Sequence, residues 1–376
     1  MGIDLIIWIL AGVVLLNIFY YIYFAKLALF RPSSAQVAKA ESPTNNSDPV
    51  SVIVCAKNEA ENLKNLVPKL LTQDHPDFEV VLVNDYSRDD TLEVIEEFQE
   101  KDKRIKLVNV IPNESFWGNK KYALTLGIKK AVHDKLLFTD ADCIPASNSW
   151  ISEMASHYGF EKSIVLGYGG YIRKKGSLLN ALIRFETAVA AMQYLSFGMH
   201  GNAYMGVGRN LGYTATQFYE TSGFMSHMNI LGGDDDLFVN EAATRSNTAV
   251  SLNPNSFTYS IPKESISSWW KQKRRHINTS SHYKWKHKIA LGLFFTSQML
   301  FFIMAVVAAL ISQSWMIVLG VVVFRYLITW SVVGKSLNIL KESKLIILYP
   351  FLELLLLLSL GSLFTSNLTH KPRHWD

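Results

Sequence analysis

Residues 135–143 read KLLFTDADC, a short apolar run that ends in two aspartates one residue apart. A run of this length predicts a buried strand, with Asp140 and Asp142 standing where the strand stops. The pattern occurs twice upstream. VSVIVCA (50–56) leads into Lys57-Asn58-Glu59, and FEVVLVND (78–85) leads into Tyr86-Ser87-Arg88-Asp89-Asp90-Thr91. Segments with helical spacing lie between, at NLKNLVPKLL (62–71), TLEVIEEFQE (91–100) and KKYALTLGIKKA (120–131), with a further strand at IKLVNV (105–110). This alternation predicts an α/β domain, a mostly parallel sheet covered by helices on both faces. Ligands of such sheets bind beyond the carboxyl ends of the strands, which is where these polar residues fall.

Two carboxylates at one strand end offer hard oxygens to Mg2+ or Mn2+, with phosphate oxygens of a ligand completing the shell. An ion held there would neutralise a leaving diphosphate. Asp85 precedes the next helix and is placed to meet a ligand, whereas Asp89 and Asp90 sit where helix caps belong. No G-x-x-x-x-G-K-[ST] loop occurs, and no G-x-G-x-x-G follows the first strand. A nucleotide would therefore be held without the usual ATPase or dehydrogenase loops. Cys55 and Cys143 are the only cysteines, each in or beside an apolar run, which predicts free thiols, a reducing compartment and no structural zinc.

Of the 376 residues 49% are apolar, and these crowd the two ends of the chain while charges crowd the middle. A net charge of +5 suits anionic lipid or a phosphate-bearing ligand and does not point to nucleic acid. Residues 3–24 are long enough to cross a bilayer and lack the basic start of a signal peptide, so residues 1–25 are expected to be a membrane anchor. Lys26, Arg31 and Lys39 follow, which puts the next residues in the cytoplasm. Residues 26–49 read as a flexible linker, residues 50–288 as the globular domain and residues 289–376 as a second membrane region. In that region runs at 289–311, 315–334 and 345–364 carry Arg325 and Glu353, which either line a polar cavity or snorkel to water. Four crossings would leave the basic tail HKPRHWD (370–376) outside, against the positive-inside rule. One run, that containing Pro350, is therefore expected to re-enter or lie on the surface.

Taken in order, VIVCAKNEAENL (52–63), VLVNDYSRDDT (81–91), NKKYALTLGI (119–128), LLFTDADC (136–143), GVGRNLGYT (206–214), GGDDDLF (232–238) and QKRRH (272–276) resemble glycosyltransferase family 2. These are inverting enzymes with a GT-A, Rossmann-like fold. The resemblance implies a nucleotide-sugar donor, UDP-linked by expectation, and donor contacts at Glu59, Asp85, Lys120, Asp140, Gln272 and Arg275. Asp142 would bind the metal, with Asp140 on metal or nucleotide. A general base for the acceptor hydroxyl falls in the run Asp234, Asp235 and Asp236. The family's E-D-x-D-L register makes it Asp234, with Gly233 in place of glutamate, and a shift of one residue makes it Asp235. The family's Q-x-x-R-W stretch is Gln272-Lys273-Arg274-Arg275-His276 here, with His276 in place of tryptophan, and it doubles as a basic-aromatic membrane-surface helix. Acceptor contacts are expected from Arg209, Asn210, Trp269, Trp270 and His276. The tail KPRHW (371–375) resembles that of lipid-directed members. The resulting expectation is a single transfer to a lipid or membrane-bound acceptor, with processive polymer synthesis and a non-catalytic scaffold as rivals.

Overall fold

A computed structural model describes residues 5–31, 48–111 and 120–369, apart from the side chains of residues 275, 276, 278, 368 and 369. Most of the expected linker, the basic tail, and the side chains of Arg275 and His276 lie outside the described residues.

The first described helix, α1 (Leu5–Ala28), runs four residues past the end of the apolar run, and within that extension Lys26 Nζ donates to the carbonyl of Met199 at 2.5 Å. Strands β1 (Val50–Ala56), β2 (Phe78–Asn84), β3 (Ile105–Asn109) and β4 (Lys135–Phe138) then form the parallel half of a seven-stranded sheet, ordered β3-β2-β1-β4-β8-β6-β9. β8 (Leu211–Thr214) runs antiparallel to β4 and to β6 (Ile164–Leu166), and β9 (Thr248–Val250) is parallel to β6. Strands β5 (Cys143–Pro145), β10 (Thr258–Ser260) and β7 (Gly169–Tyr171) make a small second sheet.

The sheet is apolar on both faces because both faces are covered. Val50, Val52 and Val54 point towards Leu63, Leu66, Val67 and Leu70 of α2 (Ala60–Leu71). Helix α3 (Thr91–Lys101) adds Val94 and Ile95 to that face. Ile53, Val81 and Val83 point the other way, towards Ala123, Leu124 and Ile128 of α4 (Lys120–Lys130). Gly127 lets α4 approach closely, since a β-carbon there would lie 2.8 Å from Val83. Helix α5 (Trp150–Ala155) closes the first face, and α6 (Leu178–Met199) lies on the second and carries it against α1.

After the short α7 (Ala215–Glu220) and α8 (Asp236–Ala242) comes α9 (Ile266–Ser280), followed by α10 (Trp285–Ile311), α11 (Trp315–Ile339) and α12 (Tyr349–Thr369). Among the described residues four segments are long and apolar enough to cross a membrane: Leu5–Ala28, Trp285–Ile311, Trp315–Ile339 and Ser343–Asn367. Helices α1, α10 and α11 pack on one another. Arg325 of α11 is fully buried between them. Its guanidinium pairs with Glu353 of α12 (2.6 and 2.9 Å) and donates to Asn17 of α1 (3.2 Å) and Gln298 of α10 (2.6 Å). The two charges satisfy one another inside the helices and do not snorkel, because a buried charge is tolerated only when paired and hydrogen-bonded.

Helix α12 behaves differently. Pro350 is its second residue, a position that needs no amide hydrogen, so the proline starts the helix and does not interrupt it. The interruption is the 3-10 turn Ser343–Leu348 before it. At its start Tyr349 packs on Phe185 of α6, and at its end Asn367 exchanges hydrogen bonds with Arg274 of α9 (3.0 and 3.2 Å). Both ends of α12 thus lie against the sheet domain.

A second buried ion pair ties α6 to the turn before α12. Arg184 Nε donates to Glu342 at 3.1 Å, and a second guanidinium nitrogen meets the other carboxylate oxygen. Arg184→Leu leaves Glu342 buried without its partner and is expected to cost about 3–5 kcal/mol, whereas Arg184→Leu combined with Glu342→Leu recovers most of the loss. Thermal unfolding in detergent measures both.

Candidate active site

The three acidic strand ends converge. β1 and β2 end in residues with left-handed backbone, Asn58 (φ 58°) and Tyr86 (φ 52°), an arrangement that side chains must hold in place. Asn58 Oδ1 accepts from Arg88 N (2.8 Å) and Asn58 N donates to Ser87 Oγ (3.0 Å), which clamps the two turns together. Asp89 accepts from Thr91 N (3.2 Å) and Ala60 N (3.3 Å), serving the starts of α3 and α2 together, so it caps as expected. Asp90 occupies the cap position itself and makes no side-chain cap bond. Asp85 is buried at the mouth of the crevice, and burial pushes its carboxyl up against the opposing pull of Lys57 and Lys120. Glu59 is half-buried, accepts from Asn62 and is likewise raised, chiefly by burial.

Asp140 and Asp142 face the same crevice, and their carboxylates lie within 4.8 Å of one another and of Cys143 Sγ. The donor set discriminates between metals. Cys143 is buried, contacts Ser260 Oγ at 3.0 Å, and burial together with Asp142 pushes its thiol far up, so it stays protonated. Two carboxylate oxygens beside an unionised thiol fit a hard divalent cation such as Mg2+ or Mn2+ and do not fit a thiolate-seeking one. Burial, then the charge of Asp140, raises the Asp142 carboxyl, a repulsion that a bound cation relieves. Both cysteines are free.

Lys120 stands at the start of α4 between two carboxylates, 2.9 Å from Asp140 and 3.1 Å from Asp234. Burial alone would lower its ammonium, but Asp140 and Asp234 hold it well above the ordinary lysine value. The next residue, Lys121, points inward and donates to the carbonyls of His227 (2.5 Å) and Ile230 (2.6 Å), fastening the loop that carries the acidic run. Nothing in the sequence pattern separates its task from that of Lys120.

The three aspartates of the run part company. Asp236 accepts from Tyr283 (2.7 Å), Thr279 and Leu237 N (2.7 Å), which commits it to anchoring α8. Asp234 is turned to Lys120, which also pairs with Asp140. Asp235 makes no ion pair with Lys120 among the described residues; its two oxygens accept from Gly208 N and, as the cap of α8, from Asp236 N, both at 2.7 Å. Burial, then the flanking charges of Asp234 and Asp236, push Asp235 up to about 8. Gly233, where the family has glutamate, has φ 85°, and a β-carbon there would lie 2.5 Å from Leu237, so this turn requires glycine.

The acceptor-side expectations divide. Arg209 lines the crevice, stacks its guanidinium 4.4 Å above the Tyr171 ring and donates to Gly170 O (3.0 Å). Asn210 is instead fully buried, bonded to Trp150 Nε1 (3.1 Å), Tyr168 O (3.0 Å) and Ser256 O (2.7 Å), so it holds the core together and does not reach a ligand. Trp269 packs in the core and Trp270 against it, and neither lines the crevice. Gln272 does, and so does Lys273, paired with Glu186 of α6 at 2.5 Å, two residues that sequence reading missed. Arg209, Gln272, Lys273 and Glu186 open into one cavity of about 1800 Å³, which runs from Asp85, Asp140 and Asp142 past Asp235 to Phe295 of α10 and Leu357 of α12.

The mixed sheet, the paired carboxylates after β4 and the later acidic run define a GT-A domain. The model of Glycosyl transferase family 2 matches residues 51–222, and the chain carries a domain of that family. A poly-beta-1,6-N-acetyl-D-glucosamine synthase of Staphylococcus epidermidis is 30% identical over 145 residues, covering 37% of this chain and 32% of the relative. A 4,4'-diaponeurosporenoate glycosyltransferase of Staphylococcus haemolyticus is 36% identical over 104 residues, covering 28% of this chain and 26% of the relative. Across six curated relatives the aligned part spans between 26% and 48% of their length. The fold is shared with a solved mannosyltransferase from Pyrobaculum calidifontis in complex with GDP-Man and Mn2+, at a TM-score of 0.59 and 16% identity, over 90% of this chain and 97% of that one.

Proposed function

We propose that the protein moves one sugar, with inversion, from a nucleotide-diphosphate donor to a hydroxyl of a lipid or membrane-bound acceptor. The cavity carries this reading: one space joins the paired carboxylates, the acidic run and the membrane helices. UDP is the expected nucleotide. Asp85 and Glu59 hold the nucleoside, and Asp140 and Asp142 hold a divalent ion that neutralises the leaving diphosphate. Lys120, freed from its bridge between Asp140 and Asp234, adds positive charge beside the same phosphates, and Gln272 lines the opposite wall. Asp235 takes the proton of the acceptor hydroxyl. It lines the same cavity as Asp234 without sharing that residue's ion pair to Lys120, and its raised basicity suits a base working near neutral pH.

In the same reading α1, α10 and α11 cross the membrane and α12 does not, which keeps the basic tail and the catalytic domain together on the cytoplasmic face. This answers the difficulty that four crossings raised.

A screen of nucleotide sugars with Mn2+ and a total lipid extract in detergent, read by mass spectrometry, tests the function. The expected product is a lipid heavier by one sugar residue. A ladder of sugar additions would instead support polymer synthesis, the rival that the Staphylococcus epidermidis relative favours, and no turnover of any donor would favour a scaffold.

A further inference from the structure

The part of the cavity beyond Asp235 has a lining unlike that of the donor crevice. Its walls are α6, α10 and α12, contributing Val189, Leu291, Phe295, Leu357, Leu360 and Phe364. Two glycines face it, Gly292 of α10 and Gly361 of α12, and a β-carbon built at either meets no atom within 4 Å. Open space is thus left beside each glycine, next to the point where Phe295 and Phe364 pack ring on ring at 5.5 Å. At the mouth, Glu186 and Lys273 neutralise one another. The far end is polar again, closed by Glu353 and Gln298. Gln298 is 2% exposed, and its Oε1 accepts from Arg325, while its Nε2 finds no partner among the described residues.

From this lining we infer that the slot receives the hydrocarbon chain of a neutral, hydroxyl-headed lipid, with the hydroxyl at Asp235 and the chain between α6, α10 and α12. The inference rests on the proposed transfer and names its acceptor class. A hydrocarbon chain matches apolar walls that continue into a base-bearing pocket, because burying it there removes methylenes from water at about 0.8 kcal/mol each. A soluble sugar would leave those walls unpaired. An anionic lipid head would meet Asp234 and Asp235, and of the cations lining this part of the cavity Lys273 is already paired to Glu186, while Lys288 is turned to the Ser281 carbonyl (3.3 Å). The walls follow α10 from Leu291 to Gln298, about 10 Å by helical rise, and α12 from Leu357 to Phe364, again about 10 Å. The polar floor at Gln298 then limits the straight chain to roughly eight to twelve carbons, with any longer chain bending out between α10 and α12.

Photolabelling of the full chain in detergent tests this, with a dodecan-1-ol carrying a diazirine at carbon 10 as the probe. Wild type is expected to give adducts on α10 and α12 between Leu291 and Phe364. Gly292→Leu and Gly361→Leu put side chains into the slot from positions where the β-carbon itself meets nothing, and each is expected to cut labelling at least tenfold while leaving titration of UDP with Mn2+ unchanged. Labelling that persists in both variants, or adducts confined to the outer faces of α1 and α11, would overturn the slot. The sugar-transfer screen separates the two readings. Slot labelling without transfer sinks the proposed reaction and keeps the lipid site, whereas lipid glycosylation undiminished by both leucines sinks the site and keeps the reaction.

Discussion

Asp235→Asn is expected to lower sugar transfer by about 10²–10⁴-fold while the donor still binds, because general-base catalysis contributes about that much. The substitution keeps the size of the side chain and one acceptor oxygen, removes the ability to accept a proton, and gives up one of the two bonds that the carboxylate accepts from Gly208 N and Asp236 N. The carboxyl sits at about 8, so the ionised, active form disappears as pH falls. The transfer rate of the wild type should therefore climb with pH, level off above about 8, and lose that limb in the variant. Asp234→Asn is the informative control. Its carboxylate pairs with Lys120 on the donor side, so its loss should raise the donor KM and leave the pH limb in place. If Asp234→Asn removes the limb and Asp235→Asn does not, the unshifted register is the right one.

That contrast also marks what the sequence could carry. The alternation of strands and helices and the acidic strand ends were readable because they are local: each depends on hydrophobic period and on where an apolar run stops. Asp140, Asp142 and Asp85 therefore meet where the pattern put them. Roles within Asp234-Asp235-Asp236 were not readable, since three identical side chains in a row differ only in which way the turn at Gly232 and Gly233 throws them. Asn210 followed a motif into the core because a motif records identity and not the direction of the side chain, and Trp150 and Tyr168 claim its amide. Lys273 and Glu186 were missed for a related reason. They lie 87 positions apart, and only the packing of α9 against α6 brings them together. The same holds for Arg325 and Glu353, whose charges were visible but whose partnership depends on how α12 is laid against the bundle. Pro350 misled by position: a proline breaks a helix interior and begins a helix equally well.

Asp142→Asn is expected to abolish metal-dependent donor binding, with UDP affinity in Mn2+ falling roughly a hundredfold to the level seen with chelator. Of the two carboxylates, Asp140 is already engaged with Lys120, whereas Asp142 makes no ion pair among the described residues and feels Arg209 and Lys263 only through space. Its nearest contact is Cys143 Sγ at 3.6 Å, a thiol that burial keeps protonated and that cannot substitute as a ligand. Asparagine retains one oxygen and the fold but not the charge, and a hard cation held by Asp140 alone would have to displace Lys120 to bind. The direction with pH follows. Because burial and Asp140 raise the Asp142 carboxyl, a proton competes with the metal, and donor affinity in Mn2+ should weaken as pH falls. Calorimetric titration of UDP with and without Mn2+ at two pH values measures both effects, and Asp142→Asn that still binds UDP more tightly with Mn2+ than without it would remove the metal from this carboxylate pair.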